Sequence, residues 1–238
     1  MSRASLPFRL WAATRTGFKT HGIAFPFVTV HRAAVYVGRK NFGAQTFAFD
    51  GKEHRYEIHP FILDNERAVE IGLARTFLDA HSGNILEVGN VLGNFTPHVH
   101  DVVDKYEVAP GVINEDIITF APAKKYDAII TLSTLEHVGW DETPRTPEKI
   151  LEAIAHLKTL LAPGGELLAT MPVGYNVFLD QVVREQRTGF GEVKFLVRTT
   201  ADNRWREAAL DEAMPKKFGQ PYGCANALIV GSFRAPKK

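Results

Sequence analysis

The sequence predicts an α/β protein with a mostly parallel, doubly wound sheet, and three observations carry that expectation. Short apolar runs, ILEV at Ile85–Val88, YDAIITL at Tyr126–Leu132 and LLATM at Leu167–Met171, have the length and β-branched content of buried strands. Amphipathic segments lie between them over about 120 residues, the alternation that gives right-handed crossovers and helices on both sheet faces. The tail breaks the alternation. Val193–Thr199 and Ala225–Phe233 are apolar runs separated only by a polar segment containing Trp205 and Pro215, which predicts antiparallel strands closing one edge.

In chain order, Thr46–His59 shows alternating runs around Asp50-Gly51, a pair that tolerates positive φ and predicts a tight hairpin. Asn65–Ala80 carries Val69, Leu73, Phe77 and Ala80 at helical spacing, with Asp64 as the expected N-cap. Val99–Val103 reads as a strand after Ile85–Val88. Thr146-Pro147-Glu148 offers a capping hydroxyl, a proline at the first turn and an acid at the positive dipole end. That predicts a helix whose buried stripe is Ile150, Ile154, Leu157 and Leu161, ended by Pro163-Gly164-Gly165.

A chain of 238 residues with 45% hydrophobic content suffices for one substantial core. A formal net charge of +1 points to no particular partner, and the lone Cys224 excludes an intrachain disulfide framework and fits a reducing compartment. No apolar run reaches the ~20 residues that span a bilayer, so the expected location is cytoplasmic. One asymmetry stands out. From Met1 to Phe49 there is no Asp or Glu, while Arg3, Arg9, Arg15, Lys19, Arg32, Arg39 and Lys40 are basic and Phe8, Leu10, Trp11 and Phe18 lie among them. Residues 1–60 are read as a basic extension and hairpin capping a main domain at 61–238; weak contact with a membrane surface is the alternative use of the same pattern. No nucleic-acid reader motif accompanies these charges.

The stretch ILEVGNVLGNF places an acid, Glu87, at a strand tip and then two glycines, Gly89 and Gly93. In an open parallel sheet, ligands bind beyond the carboxyl ends of the strands, and glycine lets backbone approach them closely. A dinucleotide is excluded in detail: Val91 and Asn94 stand where the phosphate-binding fingerprint requires glycine, and Pro97 follows. A nucleoside-like ligand remains.

Four segments in order resemble class I S-adenosylmethionine-dependent methyltransferases, over about Ile85–Asn176: LEVGNVLG, VVD ending at Asp104, NEDI, and YDAIITLSTLEHV with LKTLLAPGGELLATMP. The resemblance implies a Rossmann-like seven-stranded sheet with an antiparallel C-terminal hairpin. It also implies S-adenosyl-L-methionine as cofactor, held by Glu87, Gly89, Asn90, Gly93, Asp104, Asp116, Ile117 and Ser133. Two departures are visible: Val91 replaces the middle glycine, and the short gap after the first strand leaves room only for a truncated helix.

Methyl transfer from a sulfonium needs mainly near-attack geometry, but a hydroxyl acceptor also needs a base. His137 in STLEHVGW is the candidate, since imidazole takes a proton near neutral pH, with Glu136 as the alternative base. The loop lacks the Pro-Pro-aromatic signature with which many amine methyltransferases hold nitrogen. Together these predict a transferase that O-methylates a small or oligomeric hydroxylated acceptor such as a saccharide. An N-methyltransferase and a catalytically silent nucleoside-binding module are the alternatives. HVHDVVD also offers His98, His100, Asp101 and Asp104 at metal-like spacing, but no further ligands can be placed, so no metal is expected.

Overall fold

The computed structural model describes residues 25–95 and 99–237. An N-terminal helix α1 (Phe25–Phe42) is followed by the hairpin β1 (Thr46–Phe49) and β2 (Lys52–Arg55). Its turn is made by Asp50 and Gly51, both at positive φ, as their composition predicts. Helix α2 (Arg67–Asp79) leads into β3 (Ile85–Val88), β4 (Asp101–Val103), β5 (Val112–Ile113) and β6 (Tyr126–Leu132). Helix α3 (Lys149–Leu160), β7 (Leu161–Pro172), α4 (Val177–Arg184), β8 (Glu192–Arg198), β9 (Trp205–Ala208), the short α5 (Leu210–Ala213) and β10 (Ala227–Arg234) complete the chain.

The main sheet runs β5-β4-β3-β6-β7-β10-β8-β9. The pairs from β5 to β7 are parallel, and β10 enters antiparallel between β7 and β8. This is the expected Rossmann-like sheet with one strand more: β9, in the polar segment around Trp205, pairs with β8 and forms the outer edge. Strand order reverses between β3 and β6, because the chain builds outward from β3 in one direction and from β6 in the other.

Period-two alternation divides the core between the two faces. Along β6, Ile129 packs with Ile150, Ile154 and Leu157 of α3, whereas Ile130 and Leu132 pack with Ile71 and Ala74 of α2. The α3 side chains are fully buried, worth roughly 1.5–3 kcal/mol each against exposure. The hairpin is no separate body. Phe47, Phe49 and Tyr56 share one cluster with Val69 and Leu73 of α2, Leu196 of β8 and Leu228 of β10. Arg39 pins the end of α1 by donating to the carbonyls of Leu63, Asp202 and Asn203.

Local capping differs from expectation at both long helices. Asp64 does not occupy the cap of α2; Asn65 Oδ1 instead accepts the Arg67 N–H at 3.1 Å. At α3 the backbone carbonyl of Thr146 accepts the Lys149 N–H, and no side chain caps the helix. At α2 the bond forms one residue beyond the expected cap, and at α3 the expected residue serves through its backbone carbonyl instead of its hydroxyl. No helix of the described residues is long and apolar enough to cross a membrane.

Candidate active site

A cavity of about 430 Å³ opens where β3, β4 and β6 end, at the point where strand order reverses. That is the expected ligand crevice of an open α/β sheet, and the volume lies in the range of small-molecule sites. Gly89, Asn90, Asp104, Asp116, Ile117, Ser133 and His137 line it, joined by Arg67, Lys105, Thr134 and Asp141.

Gly89 lets the loop after β3 pass close to the loop after β6. Its φ is +83°, and a Cβ there would lie 2.2 Å from Thr134 Oγ1. Glu87 and Gly93, by contrast, do not line the cavity. Glu87 is 1% exposed and turned inward. Its Oε1 accepts the N–H groups of Val91 and Leu92 at 2.9 and 2.7 Å, and its Oε2 lies 2.9 Å from His100 Nε2. The acid at the strand tip thus holds the loop, and its two oxygens meet protein groups instead of facing the cavity as expected. Gly93 sits in a single 3₁₀ turn, Leu92–Asn94, which replaces the helix of the usual crossover.

Asp104 ends β4. Its Oδ1 accepts the N–H groups of Tyr106 and Glu107, both at 2.8 Å, and its Oδ2 that of Asn90 at 3.2 Å. Asn90 donates its side-chain amide to Glu107 Oε1 at 2.7 Å, yet its Oδ1 is buried without a partner. On the neighbouring wall, Lys105 Nζ bridges Asp116 Oδ2 at 2.8 Å and Glu142 Oε1 at 2.7 Å. Burial opposes charge on Asp116, but Lys105 and the Ile118 amide outweigh it and hold the carboxyl below its ordinary range.

The other end of the cavity rests on a buried ionic cluster. Arg67 donates to Glu70 Oε2 at 2.9 Å and to the Leu132 carbonyl at 2.7 Å. Burial disfavours its charge, but Glu70, Glu136 and Glu66 around it outweigh that and raise its proton affinity. Ser133 adopts φ +39°, and its hydroxyl donates to Glu70 Oε1 at 2.5 Å, so it points into this cluster. Glu136 is fully buried, with Oε2 unpartnered, and burial pushes its carboxyl well above the usual range. It does not line the cavity. The alternative base expected from sequence is thus sealed beneath the cavity, with burial opposing its charge.

His137 closes the single turn Leu135–His137 after β6. Its Nδ1 lies 2.5 Å from Asp141 Oδ2. The Tyr175 hydroxyl donates to the same oxygen at 2.6 Å. Burial works against the Asp141 charge, but the Tyr175 and His137 hydrogen bonds outweigh it and keep the carboxyl below its ordinary range. Burial and Asp141 together push the Tyr175 hydroxyl up to about 12. The Tyr175 ring stands edge-on to His137 at 5.0 Å and to Phe218 at 5.2 Å. His137 Nε2 has no hydrogen bond among the described residues; Glu136 Oε1 is 3.6 Å from it.

Arg67, Asp141 and Tyr175 escape sequence reasoning. Arg67 precedes the glycine-bearing loop by a whole helix, and Tyr175 reaches His137 across 38 residues. Asp141, four residues after His137, was within reach of a search for an acid placed to orient the imidazole. His98 lies outside the described residues, as do Thr96 and Pro97. Its expected partner His100 is committed to Glu87. No group of three metal-ligating side chains occurs among the described residues. None of the described residues before Arg67 lines the cavity.

No protein-family model and no curated protein matches the chain. Among solved structures it is similar to the N-methyltransferase NodS from Bradyrhizobium japonicum in complex with S-adenosyl-L-homocysteine. The identity is 19%, covering 72% of this chain and 88% of that one, with a TM-score of 0.46. It is also similar to a possible histamine N-methyltransferase from Thermotoga maritima, at 12% identity, 67% and 86% coverage and a TM-score of 0.38. A third is the glycopeptide N-methyltransferase MtfA complexed with S-adenosyl-L-homocysteine, at 16%, 68% and 88%, and 0.38. Likeness this slight carries no argument about activity.

Proposed function

We propose that the protein is an S-adenosylmethionine-dependent methyltransferase acting on a hydroxyl of a small-molecule or glycan acceptor. The observation that carries this reading is the composition of the cavity at the strand-order reversal. Gly89 gives a close backbone approach that any Cβ would fill. Asn90 leaves a buried carbonyl oxygen unpartnered, and Asp104 and Asp116 stand at the wall formed after β4 and β5. Such a site suits a ligand with hydroxyl and amine donors at one end. Arg67, at the other end, suits a carboxylate, since its planar fork pairs with one bidentately. S-adenosylmethionine has both.

The cofactor, when bound, supplies a methyl group already activated on a sulfonium. What remains for the chain is positioning and removal of one proton. Asp104 and Asn90 would hold the ribose, Asp116 and the Ile117 backbone the base, and Arg67 the amino-acid end. His137, on the cavity wall beside the half-buried Tyr175, would take the proton of an acceptor hydroxyl.

Calorimetry with S-adenosylmethionine and transfer of a labelled methyl group to a panel of methyl glycosides test the proposal. Saturable 1:1 binding with labelled methyl ether as product is expected. Binding without transfer to any glycoside, phenol or amine would identify a silent nucleoside-binding module. Transfer to amines alone would replace the hydroxyl acceptor. Failure to bind any adenosyl compound would overturn the whole reading.

A further inference from the structure

We infer that Asp141 and Tyr175 are positioning residues that fix the tautomer and ring orientation of His137, leaving Nε2 as the atom that takes the acceptor proton. The inference deepens the methyltransferase reading and rests on it for the identity of the reaction, but not for the state of the imidazole.

The geometry is that of an oriented base. Asp141 Oδ2 is an acceptor, since its carboxyl is held ionised, so the Nδ1 that faces it at 2.5 Å carries the hydrogen. The proton-free nitrogen of a neutral imidazole is then Nε2. Without Asp141 the two tautomers would compete, and only one of them offers a lone pair at Nε2. Tyr175 acts on the carboxylate and on the ring. Its hydroxyl donates to Asp141 Oδ2 at 2.6 Å, which fixes that oxygen, and its ring edge limits rotation of the imidazole. Phe218 backs Tyr175 in turn.

The groups that face His137 come from three elements. Asp141 lies on the loop after the same turn, and Tyr175 on the turn after β7. Glu136 lies beneath, 3.6 Å from Nε2. Arg145, whose guanidinium stacks on Trp140 at 4.3 Å, adds positive charge near Asp141. Asp141 is the carboxylate hydrogen-bonded to the imidazole here, whereas burial pushes the Glu136 carboxyl above its ordinary range. In the step itself, the acceptor hydroxyl gives its proton to Nε2 while its oxygen forms the bond to the methyl carbon. The carbon–sulfur bond breaks, and its electron pair stays on sulfur. The imidazolium that remains is held against Asp141 until it loses the proton to solvent.

Nitrogen-15 NMR of histidine-labelled protein tests the inference without turnover. The His137 signals are assigned as those missing from His137→Gln. Wild-type protein with the ring neutral should show a protonated Nδ1 and an unprotonated Nε2; Asp141→Asn should show a mixture, or the reverse tautomer. In methyl transfer to methyl glycosides, Asp141→Asn should lower kcat by roughly 10²–10³-fold with KM within about threefold, the pattern of a lost transition-state interaction. Asp141→Glu should recover part of it. Tyr175→Phe keeps the ring and loses the hydroxyl, and should cost roughly tenfold in kcat. A wild-type tautomer and wild-type kcat in Asp141→Asn would overturn the inference, as would a wild-type imidazole protonated at Nε2. If wild-type protein transfers no methyl group but shows the expected tautomer, the methyltransferase reading fails and the orientation of His137 stands.

Discussion

His100 Nε2 and Glu87 Oε2 meet at 2.9 Å with almost no solvent around either side chain. The other oxygen of Glu87 takes two backbone N–H groups of the loop that follows. The pair ties the start of β4 to the tip of β3 and fixes the path of Val91 and Leu92 without any glycine at 91. The acid is therefore a loop-builder set behind the cavity wall.

Glu87→Ala should accordingly be a stability variant. Two backbone N–H groups and the His100 ring would lose this carboxylate, each contact worth about 1–3 kcal/mol. At this chain length a kilocalorie moves Tm by roughly 2–4 °C, so a drop of roughly 6 °C or more is expected in a thermal melt. An unchanged Tm with cofactor binding abolished would return the carboxylate to the ligand.

Gly89→Ala tests the close approach of the two loops. An L-residue in the left-handed region costs about 1–2 kcal/mol. The methyl would also stand 2.2 Å from Thr134 Oγ1, so one loop must shift. A fall in S-adenosylmethionine affinity of at least about tenfold is expected by calorimetry. Thr134→Ala in the same background relieves the contact but not the φ, and should recover only part of the affinity. Full binding by Gly89→Ala alone would show that the ligand does not pass here.

Asp104→Ala removes a carboxylate whose three backbone donors are close to solvent and can turn to water. Stability should change by less than about 1 kcal/mol, while S-adenosylmethionine affinity falls roughly 10–100-fold from the lost charge-assisted bonds. Equal affinity in a folded variant would move the ribose contact to Glu107, which already holds the Asn90 amide.

Glu136 predicts a pH dependence of stability. Its folded-state carboxyl, raised mainly by burial, keeps a proton that the unfolded chain releases in the ordinary carboxylate range. Folding takes up a proton between those limits, so the contribution of Glu136 to stability is present at acid pH and is lost as pH rises toward the raised value. Glu136→Gln has the same shape and no titration. It should gain stability relative to wild type as pH rises from 5 to 8, read from melting curves at both pH values. Equal melting curves at both pH values would show Glu136 ionised in the fold.

The sequence by itself determined the central strands, their order of appearance and the glycine after β3, though not the short β5 or the edge strand β9. Ile85–Val88 and Tyr126–Leu132 were legible to the residue, because continuous apolar β-branched runs bury on both faces of a parallel sheet and have no other stable use. The Asp50-Gly51 turn was legible for a similarly local reason: two adjacent residues tolerate positive φ. Only the tertiary structure decided which polar side chains face the cavity. Glu87 and Asp104 look alike in sequence, each an acid at a strand tip, yet one is sealed behind its loop and the other lies on the wall. Glu136 and Asp141 flank His137, and burial pushes the carboxyl of one up while two hydrogen bonds hold that of the other down. The partners that settle these states are Arg67, His100 and Tyr175, contributed by other elements of the chain. Hydrophobic patterning is a property of neighbours along the chain, whereas desolvation and hydrogen-bond partnership belong to neighbours in space.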